Sequence, residues 1–69
     1  MNFNYSKLRG KIRECGLTQK QLAEAIHISK ATLSAKLNGQ FAFTQKEILS
    51  IGAELNIPKN ELGDYFFAE

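Results

Sequence analysis

The chain has 69 residues, 43% of them hydrophobic, with nine Lys/Arg against seven Asp/Glu and a formal net charge of +2. A chain this short supports one small core, which removes only about 60% of the unfolded surface from water, and no apolar run approaches the roughly 18 residues of a membrane span. The start, MNFNYSKLRG, carries charge but no apolar stretch, so no secretory signal is expected, and the single cysteine excludes an internal disulfide and fits a reducing cytosol.

Five helices account for the sequence in order. Tyr5, Leu8, Ile12 and Cys15 recur on one helical face and predict a first helix over about Ser6 to Cys15, stopped by Gly16, with Cys15 as a buried core thiol. Thr18 opens a second helix, and Gln21 three residues on completes a capping box. That helix turns Leu22, Ala23 and Ile26 inward and ends near Ile26. Ser29 caps a third, about Lys30 to Leu37, with Leu33 and Leu37 inward, Ala31, Ser34 and Ala35 pointing elsewhere, and Asn38-Gly39 as its stop. Thr44 and Glu47 form a second capping box for a fourth helix running to about Leu55, with Ile48, Leu49, Gly52 and Leu55 inward and Asn56 at its close. Pro58 suits the first turn of a fifth, whose apolar face is Leu62, Tyr65 and Phe66. No stretch alternates with period two, so the fold class is all-α: a compact single domain over residues 1–69.

Lys7, Arg9, Lys11 and Arg13 crowd the start, and Lys20, Lys30 and Lys36 follow; Glu54, Glu61, Asp64 and Glu69 cluster late. The weak positive balance leans toward anionic partners without being a nucleic-acid signature in itself.

The stretch TQKQLAEAIHISKATLSAKLNG, Thr18 to Gly39, sets two short helices back to back with three residues between them. So tight a turn favours a crossing of about 90–120°, the helix-turn-helix unit, placed here over about residues 18–38. The second helix then stands out from the domain and can enter a DNA major groove while the first crosses the backbone. His27 takes the turn; it has no Cys, His or carboxylate companions at ligand spacing, so no metal is expected.

LTQKQLAEAIHISKATLSAKLNG resembles the helix-turn-helix of the Cro/cI-type (XRE) regulators of phages and bacteria. Leu17-Thr18-Gln19, Leu22-Ala23, Ile28, Ser29, Leu33 and Asn38-Gly39 carry the likeness. The resemblance implies a compact five-helix, lambda-repressor-like DNA-binding domain. Ala23 would let the two helices approach, and Ile28 and Leu33 would plug the core beneath the turn. The short length is similar to the small Cro-like and modulator-of-repression proteins of temperate phages of Gram-positive bacteria, without the C-terminal oligomerisation domain of full repressors. Many relatives pair an Arg of the first helix with a Glu late in the recognition helix; Ile12 and Leu37 stand at those positions, an apolar replacement that need not weaken the fold.

Two functions follow. In the first, the protein is a transcriptional regulator, a Cro-like repressor, that binds operator DNA in a lysis–lysogeny switch. Gln19, Ser29, Lys30, Ala31, Ser34 and Ala35 would face the bases, and Lys20, Lys36, Asn38 and Lys46 the phosphates. The recognition helix is chemically plain, with no Arg, Gln or Asn for bidentate base contacts, and Lys30 is its one strong donor. Specific binding would then call for a homodimer on half-sites about one DNA turn apart. In the alternative, the protein is an anti-repressor that acts by binding a partner helix-turn-helix repressor, and Tyr65, Phe66 and Phe67, with Phe41 and Phe43 in a loop, suggest an aromatic interface. Neither calls for a cofactor or a membrane, and both place the protein in the host cytoplasm, near the nucleoid. Its glycines are dispersed and its one His and one Cys fall in different local roles, so no enzyme is expected.

Overall fold

The computed structural model describes residues 4–67. Five α-helices follow one another: α1 (Ser6–Glu14), α2 (Gln19–Ala25), α3 (Lys30–Leu37), α4 (Gln45–Glu54) and, after a 3-10 turn over Lys59–Glu61, α5 (Leu62–Phe66). No strand occurs among the described residues.

Local chemistry sets these bounds. Both capping boxes form: the Thr18 hydroxyl accepts from the Gln21 amide while the Gln21 side chain accepts from the Thr18 amide, and Thr44 and Glu47 do the same at α4. The Ser29 hydroxyl caps α3 by accepting from the Thr32 amide at 3.0 Å. Each cap satisfies donors that a helix start leaves orphaned, worth about 1 kcal/mol apiece.

Four helices end alike. Gly16, His27, Gly39 and Asn56 each sit at positive φ (74°, 64°, 82° and 56°) one residue past the C-cap. The next residue's amide then donates back into the last turn: Leu17 to Ile12, Ile28 to Ala23, Gln40 to Ala35 and Ile57 to Gly52, at 2.8–3.1 Å. This is the Schellman closure. Two of the four corners use Gly, which adopts positive φ without strain; the others use His and Asn, the side chains most tolerant of it.

The core draws on every helix. Leu8, Leu22, Leu33, Ile51, Leu55 and Phe66 are fully enclosed, and Tyr5, Ile12, Ala23, Leu37, Ile57, Leu62 and Tyr65 join them. Burying an aliphatic or aromatic side chain of this size stabilises by about 1.5–3 kcal/mol. Ala23, 1% exposed, packs where α2 meets α3. Phe43 packs edge-on between Tyr5 and Phe66, with ring centroids 5.3 and 5.2 Å apart, and so joins the chain's beginning, its middle loop and α5.

The structure corrects three expectations here. Cys15 is exposed, because α1 ends at Glu14 and the thiol lies at the C-cap, its Sγ 3.7 Å from the Leu55 carbonyl. On α4 it is Ile51, not Leu49, that enters the core; Leu49 is 44% exposed, since α4 starts at Gln45 and the helical turn carries position 49 to the outer side. Pro58 is not in a helical turn: with ψ at 145° it caps the 3-10 turn, and α5 begins only at Leu62.

Candidate functional site

The surface of interest is α3 with its approaches from α2 and α4. Lys30, Ala31 and Thr32 are exposed at its start, and Ser34 and Ala35 are half-buried further along. Ser29 is exposed, but its hydroxyl both accepts from the Thr32 amide and donates to the Thr32 hydroxyl at 2.8 Å, so the cap engages it. Lys20 and Lys46 are exposed on the flanking helices. Gln19 is half-buried, at the edge of a hollow between α1 and α2.

Two residues expected at phosphates are engaged by other side chains of the fold, and one of them is buried. Lys36 is buried and its ammonium bonds to the Glu47 carboxylate. The reason is helical phase: position 36 lies beside Leu33 and Leu37 on the packed side of α3, over the start of α4. Burial raises the Glu47 carboxyl, but hydrogen bonds from Lys36 and the Thr44 amide, the Lys36 charge and the Thr44 side chain together bring it below the ordinary glutamate value. Asn38 is exposed, yet its Oδ1 accepts from the Arg9 guanidinium at 2.7 Å while the same Nη2 donates to the Leu37 carbonyl at 3.1 Å. Arg9 thus closes the C-terminal end of α3, a role that helix periodicity does not reveal because it joins residues 28 and 29 positions apart.

The aromatic tail divides. Tyr5, Tyr65 and Phe66 are buried, and burial pushes the Tyr5 phenol up. Tyr65 and Phe66 are therefore core side chains and not an interface, because α5 lays them against α1. Lys7 places its ammonium 4.7 Å from the Tyr65 ring centre. Phe67 at 55% exposure and Phe41 at 64% remain at the surface, outside the helical faces that reach the core.

Arg9 and Arg13 were not anticipated as site residues. They frame an open hollow of about 190 Å³ with Ile12, Leu17 and Gln19. Arg9 and Arg13 stand four positions apart in α1, so one helical face carries both; Leu17 and Gln19, which complete the hollow, come from the turn and the start of α2. No helix among the described residues is long and apolar enough to cross a membrane, and no cluster of three or more His, Cys, Asp or Glu able to hold a metal occurs among them.

Comparison with known proteins adds the following. A family model described as "Protein of unknown function (DUF739)" matches residues 1–69. The solution structure of the modulator of repression (MOR) of the temperate bacteriophage TP901-1 from Lactococcus lactis superposes with a TM-score of 0.80 at 37% sequence identity, covering 97% of this chain and 90% of that one. No curated protein sequence matches the chain.

Proposed function

The chain belongs to the DUF739 family, and from that premise we propose that it is a phage regulator of the modulator-of-repression kind, a single domain that works by binding a partner repressor in the host cytoplasm. It is a binding protein and not an enzyme. The observation that carries this reading is the likeness, over nearly the whole of both chains, to a phage protein described as a modulator of repression.

The surface supports the same reading. The burial of Lys36 against Glu47 withdraws one of the four groups a DNA-binding reading assigns to phosphates. Phe41 and Phe67 put two large aromatic rings on the outside, of the kind that anchors protein interfaces. In the finer form of the proposal, α2 and α3 are a helix-turn-helix of the Cro/cI (XRE) type within a lambda-repressor-like domain. The buried Ala23, the positive φ of His27 and the Ser29 cap support that form.

The exposed start of α3 favours a second reading. Lys30 and Ala31 are exposed there, and Lys20 and Lys46 are exposed on α2 and α4, so the helix start can enter a DNA major groove, read by a homodimer on paired half-sites. Titrating the purified chain with the repressor encoded beside its gene, with operator DNA and with random DNA, each at two salt concentrations, separates the two. The proposal expects a stable complex with the repressor and no preference of the chain alone for operator over random DNA. Operator-selective binding that Lys30→Ala removes, with no repressor complex, would establish the second reading in its place.

A further inference from the structure

We infer that the hollow framed by Arg9, Arg13 and Gln19 receives an acidic side chain, Glu or Asp, of a protein partner; the inference rests on the partner-binding reading above.

Three features of the hollow carry it. The first is its charge. Arg9, Arg13 and Gln19 line it, and no carboxylate among the described residues does. Glu14, the acid nearest in sequence, leans instead toward Lys11, at 3.8 Å.

The second is preorganisation. Arg9 is already held through its Nη2 by the Leu37 carbonyl and the Asn38 side chain. Much of the side-chain freedom that an arginine loses on binding is therefore lost before any partner arrives. Arg13 can present its planar fork to a carboxylate as two parallel donors, which a lysine ammonium cannot do, while Arg9, its Nη2 already engaged, adds charge and a single donor.

The third feature selects the occupant. Beneath the donors lie Ile12, 4% exposed, and the half-buried Leu17. A hollow of about 190 Å³ is smaller than the roughly 300–1,000 Å³ of small-molecule sites and suits a single side chain. A glutamate or aspartate brings a hydrocarbon stem for the apolar floor and a carboxylate for the cationic rim. A DNA phosphate has the charge but no stem, and its flanking sugars keep it on the outside of a concave surface.

Two measurements test this. In the first, the whole chain, labelled with nitrogen-15, is titrated with butyrate and separately with inorganic phosphate. Butyrate is expected to shift the Arg9 and Arg13 Nε–H signals and the Gln19 side-chain amide at lower concentration than phosphate does. Tighter response to phosphate, or response to neither, overturns the inference. In the second, Arg13→Glu and Arg13→Lys are compared with wild type for binding to the neighbouring repressor, with helix content and Tm recorded for each. Arg13 is exposed and holds no other element, so both variants should fold. Charge reversal is expected to weaken the complex at least tenfold and the lysine variant by a smaller factor. Equal binding by wild type and Arg13→Glu overturns the inference while leaving the partner-binding reading intact. A wild type that binds no repressor defeats that reading, and with it the assignment of a protein partner, whatever the butyrate titration returns.

Discussion

Lys36 and Glu47 meet where α3 crosses the start of α4, and the same Glu47 oxygen that takes the lysine also accepts the Thr44 amide of the capping box. One carboxylate thus closes a helix end and fastens two helices, with side-chain exposures of only 11% and 15% across the pair. Its proton affinity in the folded chain lies below the ordinary value of 4.5. The unfolded chain therefore takes up this proton first as pH falls, so the contribution is complete above that value and is lost as pH drops through the folded one. Glu47→Gln should cost about 2 kcal/mol at neutral pH, the scale of hydrogen bonds to a charged group, and should flatten the fall of Tm between about pH 5 and pH 3. Equal acid sensitivity in the variant would show that the pair contributes nothing. Residue roles were legible where they are local. The Thr18, Ser29 and Thr44 caps and the turn at His27 follow from three or four adjacent positions. Lys36 reads in the sequence as a phosphate contact because its partner comes 11 residues later, on another helix.

Among the elements, α5 depends on a close approach to α4. A Cβ built on Gly52 would stand 2.7 Å from a Leu62 δ-methyl, so the Leu62 side chain rests against the Gly52 backbone where any other residue would carry its Cβ. Gly52→Ala gains roughly 1 kcal/mol of helix propensity and meets an overpacking cost of about 1–3 kcal/mol. The Leu62 methyl can yield into the shallow apolar hollow it shares with Leu49, Ala53 and Ile57, which holds the cost toward the lower end. Urea unfolding should accordingly show a change within about 1 kcal/mol for Gly52→Ala. In a Leu62→Ala background the same change should stabilise, since the clash is gone and the helix gain remains; destabilisation there would refute the account. Helix existence was legible for all five, and the limits of α1 to α4 to within about a residue, because caps and left-handed closures are written in short spans of sequence. The start of α5 was not. Pro58 opens a 3-10 turn over Lys59–Glu61, and α5 begins only after it, at Leu62, which packs against Gly52.

At the scale of the whole molecule, two kinds of aromatic residue occur close together in sequence and do opposite things. A domain of this size has a net stability of only about 0.05–0.15 kcal/mol per residue, so a single well-placed ring is a sizeable part of it. Phe43 is such a ring, touching Tyr5 and Phe66 edge-on and tying the first described turn to the last helix. Phe41, two positions earlier, is 64% exposed. Helical spacing puts Tyr65 and Phe66 on the apolar face of the last helix, as observed; which of Phe41 and Phe43 faces inward is decided by how the loop before α4 settles on Tyr5 and Phe66, a long-range outcome with no local pattern. Phe43→Ala should cost about 2–3 kcal/mol, from lost burial and two edge-to-face pairs. With each 1 kcal/mol worth about 4–8 °C in a domain this small, Tm should fall by about 8–24 °C. Phe41→Ala should move Tm by no more than a few degrees yet weaken binding to the neighbouring repressor at least tenfold, as loss of an aromatic anchor does. Measuring Tm and repressor affinity on both variants separates core from interface: if Phe41→Ala leaves the complex untouched, the exposed ring is no anchor, and the repressor-binding surface must be sought on the basic side of the molecule, around Arg9 and Arg13.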